Sequence, residues 1–246
     1  MRLGIVGYGR MGKSIEKQAL SLGLEVVWII KSELDWNEID IHSNSADVVI
    51  EFTQPQAAVQ NIKKLIECGL PVITGTTGWY EELDVLKKFV NENQGTLLYA
   101  SNFSIGVNIL FELNTFLAKF TAHFPAFSGK VTETHHIHKL DAPSGTATTL
   151  INGIIEQHPH YDNWHFINNE PKSNNSLPVD CKREGEVFGI HEVEWNSGDD
   201  RITISHEAHS RMGFTNGVLM AAQWVAGKKG IYTMRDVLLD LIKAAE

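Results

Sequence analysis

The chain is short of cysteine and of basic clusters, and each shortage excludes something. Only two cysteines, Cys68 and Cys181, occur in 246 residues. They lie far apart and without metal-ligand spacing, so no disulfide framework and no cysteine-based metal site is expected. Lys and Arg number 21 against 30 Asp and Glu, a net charge of -9. With no basic run, nucleic acid and anionic membrane surfaces are poor partners. No apolar window approaches a membrane span, and the first apolar run is too short for a signal-peptide core. The expectation is a cytoplasmic protein. Apolar residues, 43%, and charged residues, 21%, are in ordinary globular proportion, and the length suits two modest domains.

Over the first hundred residues, short apolar runs alternate with helical periodicity. Strands are expected at 3–6, 24–30, 48–52, 71–74 and 96–100, and helices at 10–22, 55–68 and 80–93. Such alternation means βαβ units, an α/β Rossmann-type fold with a doubly wound parallel sheet. Residues 31–46 are too few and too polar for a full crossover helix. After Asn102 the rhythm changes. A long helix is expected at 107–124, an alternating strand at 129–138, a helix at 146–157 and a polar loop at 158–178. Strands at 179–183, 187–195 and 201–207 read as antiparallel, and helices return at 214–227 and from 233 onward.

Gly7, Tyr8, Gly9, Arg10, Met11 and Gly12 form a G-x-G-x-x-G run between an expected strand and an expected helix. The first glycine permits a tight turn, the second lets backbone approach a pyrophosphate, and the third lets helix pack on strand. Free N–H groups at the helix start then face the phosphates. The competing reading is a glycine turn with no ligand. Where such folds place an acidic residue for the ribose 2′-hydroxyl, this chain has Lys31, which favours NADPH at least as much as NADH; Glu33 is the alternative partner. Gly75, Thr76, Thr77 and Gly78, and then Ala100, Ser101, Asn102 and Phe103, follow further strands on the side where open sheets bind ligands. Singly, each could be an ordinary turn.

Residues 133–147 hold three histidines and a lysine beside a fresh helix start. In an extended segment Glu133, His135 and Lys139 share a face, placing a proton donor beside a cation for carboxylates. Ser144 reads as an N-cap, with Gly145 and Thr146 offering N–H groups to an anion. Lysine on one side and helix start on the other suit a substrate with two carboxylates. A metal site on His135, His136 and His138 is disfavoured by Lys139, and ordinary surface or sheet histidines are the remaining alternative.

These motifs, with Arg183 to His191 and Ser205 to Arg211, resemble the bacterial dihydrodipicolinate (4-hydroxy-tetrahydrodipicolinate) reductases over nearly the whole chain. The resemblance implies a reductase of the lysine and diaminopimelate route, using NADPH or NADH. It implies His135 as proton donor, with its charge form tuned by Glu133 or by the substrate, and Lys139 as second catalytic group. His136, Lys139, Ser144, Gly145 and Thr146 are then the dicarboxylate contacts, with Thr77 near. The cofactor would lie on Gly7 to Gly12, Gly75 to Thr77 and Ala100 to Phe103. It further implies a homotetramer built through the second domain's sheets. Residues 1–105 and 212–246 then form the dinucleotide-binding domain. Residues 106–211 form an α+β substrate and oligomerisation domain with a mixed or antiparallel sheet, and hinges are expected at 102–104 and 211–213. Lys31 and the trimmed segment after it depart from the usual pattern. Two rivals stand beside this reading. One is a reductase for an open-chain amino-aldehyde or hydroxy acid; the other is a nucleotide-sensing regulator without turnover.

Overall fold

A computed structural model describes residues 1–171 and 173–243. Position 172, inside the expected polar loop, and positions 244–246, in the expected last helix and domain, lie outside the described residues. The chain forms two compact units, one of Met1–Ser104 with the chain from Met212 onward, the other of Ile105–Arg211.

The first unit is built on six parallel strands. They are β1 (Arg2–Val6), β2 (Glu25–Ile30), β3 (Val48–Glu51), β4 (Val72–Thr74), β5 (Thr96–Tyr99) and β11 (Gly230–Tyr232). Their order is β11-β5-β4-β3-β1-β2. Strands buried on both faces read as near-continuous apolar runs, and β3 and β4 are buried throughout, with Glu51 and Thr74 as polar residues at their ends. Helices α1 (Arg10–Ser21), α7 (Met212–Val225) and α8 (Met234–Lys243) bring Ile15, Ala19, Val218, Ala222 and Val237 to one core cluster. Helices α3 (Pro55–Glu67) and α4 (Leu83–Glu92) bring Ile62, Leu65, Leu86 and Val90 to another. The trimmed segment carries only a one-turn helix, α2 (Asp35–Glu38). Strand β11 escapes sequence reading because three residues are too few to show a period.

The second unit is a mixed five-stranded sheet. Its strands are β6 (Ser128–His135), β7 (Asn163–Phe166), β8 (Ser176–Arg183), β9 (Ile190–Asn196) and β10 (Arg201–Glu207), in the order β10-β9-β6-β8-β7. Helices α5 (Ile105–Thr121) and α6 (Gly145–Gln157) bury Leu110, Leu150, Ile151 and Ile154 against Val131, Val179, Val193 and Trp195.

Three expectations need correction. The segment 179–183 is not antiparallel to its neighbours, because β8 runs parallel to both β6 and β7. The loop expected at 158–178 contains β7, whose residues are all half-buried and therefore show no alternation. The strand expected to reach His138 ends at His135, so His135 and Lys139 do not share a strand face.

Candidate active site

In the first unit the glycine run forms a tight turn between β1 and α1. Gly7 has φ +94°, and a Cβ there would sit 2.0 Å from the Phe52 carbonyl oxygen. A Cβ on Gly12 would sit 2.1 Å from the Gly7 oxygen, so the helix can approach the turn only as glycine. Gly9, by contrast, caps α1 with nothing within 4 Å of where a side chain would be. That open space before a helix N-terminus without a side-chain cap fits a dinucleotide pyrophosphate. Beside it lies a cavity of about 390 Å³ lined by Gly7, Gly9, Lys31, Glu33, Thr53 and Asn61 among others. Lys31 is exposed, with its Nζ 4.9 Å from the centre of the Tyr8 ring, whose hydroxyl donates to Glu16. Glu33 stands 3.7 Å from Lys64. Arg10 is exposed and Met11 half-buried.

The turns after β3 and β4 are tied by a residue that sequence reading passed over, the fully buried Glu51. Its carboxylate accepts from Thr53 N at 3.1 Å, from the Thr53 hydroxyl, and from Thr74 Oγ1 at 2.5 Å. Thr53 N also donates to Thr76 Oγ1 at 2.8 Å, fixing Gly75 and Thr76 from below while Thr77 stays exposed. Ala100, Asn102 and Phe103 are buried and Ser101 half-buried; Asn102 Oδ1 accepts from Ser104 N at 2.8 Å.

In the second unit a polar cluster forms because the sheet register puts Glu133 between Cys181 on β8 and His191 on β9. Glu133 is fully buried, and its carboxylate oxygens accept from Ser144 N at 3.1 and 3.2 Å. Arg183 Nη2 lies 3.2 Å from Oε1, and His135 Nδ1 3.3 Å from Oε2. Burial opposes charge on Glu133, but the polar contacts from His135, Ser144 and Cys181 outweigh it and hold the carboxyl well below the usual range. Cys181 is pushed up to about 12, first by burial and then by that carboxylate. His191 is lowered to about 3, chiefly by burial and then by His135, so it is neutral near pH 7.

His191 Nε2 is 3.3 Å from Ser144 Oγ, which also accepts from Ala147 N as the cap of α6. Gly145 is exposed, with open space where a side chain would be, and Thr146 is buried. Lys139 grips both oxygens of Asp141 at 2.8 and 2.9 Å. Arg183 donates from Nε to the Lys139 carbonyl at 3.2 Å and from Nη2 to the Asp141 carbonyl at 2.6 Å. His136 points its backbone N–H to Val187 O at 2.8 Å, and exposed His138 lies 3.3 Å from Glu186. So His135, Lys139 and the α6 start gather around Glu133 and Arg183, while the other two histidines stand apart. Glu133, His135 and His191 do offer metal-type ligand atoms within 4.8 Å of one another. The Arg183 guanidinium already supplies the positive charge at that carboxylate.

Two family models match the chain, "Dihydrodipicolinate reductase, N-terminus" over residues 1–103 and "Dihydrodipicolinate reductase, C-terminus" over residues 106–238. The chain belongs to the dihydrodipicolinate reductase family. Among curated relatives of this family, the 4-hydroxy-tetrahydrodipicolinate reductase of Christiangramia forsetii is 38% identical over 243 residues, 99% of this chain and 100% of the relative. That of Methanopyrus kandleri is 39% identical over 201 residues, 80% of this chain and 72% of the relative. A dipicolinate-bound dihydrodipicolinate reductase from Paenisporosarcina sp. TG-14 shares the fold. Its TM-score is 0.74 at 21% identity, with 95% of this chain and 97% of that chain covered. In this family member, sequence reading left Arg183 and His191 without roles. The only signal was their place in the Arg-Glu-Gly-x-x-x-Gly-x-His run, whose glycines mark turns rather than chemistry.

Proposed function

We infer that the chain catalyses NAD(P)H-dependent reduction of 4-hydroxy-tetrahydrodipicolinate to tetrahydrodipicolinate with loss of water, in lysine and diaminopimelate biosynthesis. The observation that carries this reading is the clustering of His135, Lys139 and the Ser144-capped helix start around Glu133 and Arg183. Gly7 to Gly12, Lys31, Gly75 to Thr77 and Ala100 to Phe103 would hold NAD(P)H, which would supply the hydride. His135 gives the proton that the resulting enamine needs. Lys139 pairs with one substrate carboxylate and stabilises charge in the transition state. Ser144, Gly145 and Thr146 receive the other at the α6 start, with His136 and Thr77 as further contacts.

A homotetramer assembled through the second unit's sheet, in the cytoplasm, belongs to the same reading. On the helix side of that sheet, α5 leaves Ile109, Leu113, Phe116 and Phe120 exposed at helical spacing, a second surface open to contacts between copies. Among the described residues no helix is long and apolar enough to cross a membrane. The test follows NADPH absorbance with freshly generated synthase product, with and without pyridine-2,6-dicarboxylate. Turnover with competitive inhibition by that planar diacid is expected. NADPH binding without oxidation would favour a regulator, and turnover only of open-chain amino-aldehydes or hydroxy acids the other reductase class.

A further inference from the structure

A histidine that delivers a proton from one ring nitrogen needs something to hold the other. His135 Nδ1 is shut off from solvent and makes no well-formed hydrogen bond, with Glu133 Oε2 standing 3.3 Å away as an ion-pair partner. The ring's other edge points at Gly189, where φ is +153° and a Cβ would lie 3.0 Å from His135 Nε2. Any side chain there would crowd the atom that must exchange the proton. The groups facing the imidazole from each packed element are known. Glu133 lies on its own strand, Arg183 and Cys181 on β8, and His191 on β9, its ring 5.0 Å away at 73°. Lys139 and Asp141 lie on the loop beyond, and His206 on β10 influences His191. Of these, only Glu133 is an acceptor within reach of Nδ1, and it is anionic.

We propose that Glu133 is the positioning residue of the reaction: it fixes His135 as the Nδ1–H tautomer, reserving Nε2 for substrate, and ties that proton donor to the anion-binding start of α6. The proposal rests on the reductase reading above. The tie is direct, since the same carboxylate that faces His135 accepts the Ser144 N–H at the cap. During turnover the imidazolium gives its Nε2 proton to the substrate carbon, keeps Nδ1–H against Glu133, and regains a proton from water. His191, kept neutral, adds no second cation that would compete for the carboxylate. The role differs from that of an ion pair serving stability alone, because it specifies which nitrogen holds the proton.

Glu133→Gln tests it on the full-length enzyme. One amide oxygen must then serve Ser144 N and Arg183, so the amide NH2 turns to His135 Nδ1 and favours the Nε2–H tautomer. Nitrogen-15 NMR of the histidines, with the His135 signal identified by its loss in His135→Gln, should show Nδ1–H in the wild type. In Glu133→Gln it should show Nε2–H. Correspondingly kcat falls at least tenfold, the alkaline limb of its pH profile moves to lower pH, and KM for NADPH is unchanged. A wild-type imidazole already in the Nε2–H form overturns the proposal without any variant, which covers the case in which Glu133→Gln does not fold. A tautomer switch with unchanged kcat overturns it as well. If the switch occurs but the wild type reduces no dicarboxylate, the tautomer assignment stands and the reductase reading fails instead.

Discussion

Lys139 and Asp141, two residues apart in the loop after β6, form a two-oxygen ion pair with Nζ 2.8 Å and 2.9 Å from the carboxylate oxygens. The ammonium proposed above for a substrate carboxylate is thus already paired with one of the chain's own carboxylates. Asp141 is more than half exposed, so the pair is weak and exchangeable. Replacing the aspartate removes the internal competitor. Asp141→Asn should tighten pyridine-2,6-dicarboxylate binding by about 2- to 5-fold, the range expected when a partly screened charge pair is released. Weaker binding in that variant would show that Asp141 holds the lysine in place instead of competing for it.

His135→Gln should lower kcat by about 10²- to 10⁴-fold, the usual contribution of a positioned acid or base. Cofactor binding resides in the other unit and should be unaffected, as fluorescence titration with NADPH will report. A loss confined to substrate KM would demote His135 to a binding residue.

Lys31 directly follows β2, where a 2′-phosphate would come, and its Nζ rests over the Tyr8 ring at 4.9 Å. With Glu33 close to Lys64, the lysine is the better placed charge for a phosphate. Lys31→Ala should therefore raise KM for NADPH about 5- to 20-fold and leave that for NADH within about 2-fold, as loss of one charge-assisted contact predicts. An unchanged ratio of the two constants removes Lys31 from cofactor choice.

Much of this was legible in the sequence, and the rest was hidden for physical reasons. The parallel sheet is readable because strands buried on both faces must be continuously apolar, as at Val48, Val49 and Ile50. The glycine run is readable because close backbone approach leaves only one residue type possible. Glu133, Arg183 and His191 are adjacent only through the register of three strands, which a one-dimensional pattern does not contain. Glu51 looks like an ordinary strand-end carboxylate until Thr53 and Thr74 are seen to surround it. Alternation from Gly129 to His138 suggests a strand to His138, but the turn from Glu184 supplies the backbone partners of His136 and Ile137.

His158 at the end of α6 is buried and stacked on Trp195, with ring centres 5.0 Å apart and planes at 24°. Burial, and then His160, lower its pKa, as burial does more strongly for His191. Each is neutral in the fold yet protonates near pH 6.5 once unfolded. The unfolded chain therefore binds more protons below that value, and stability, full above it, declines as pH falls from 6.5 toward the folded values. Glu133, lowered in the fold, adds a further loss below about pH 4.5, where the unfolded carboxyl begins to protonate. Urea midpoints should fall steadily from pH 7 to pH 5. In His158→Phe the slope over that interval should be shallower, and an identical slope would place the acid sensitivity elsewhere.

Thr132 sits at the middle of β6, the central strand of the mixed sheet, on the face opposite the helices. Its neighbours on that face, Lys130, Asp180, Glu192 and Glu194, are only partly exposed and lie outside the apolar cluster formed with α5 and α6. A sheet face that is neither apolar nor fully solvated suits a face-to-face contact between copies, in which polar side chains pair across the interface. If the tetramer forms there, the wild type should sediment at about four times its 27.5 kDa chain mass. Thr132→Arg, which places a long cation at the centre of each face, should reduce the species to dimers or monomers. The fold should survive, because the substituted side chain leaves the Val131 and Val193 side of the sheet untouched. A tetramer that persists in Thr132→Arg would move the interface off this sheet and toward the apolar stripe of Ile109, Leu113 and Phe116 on α5.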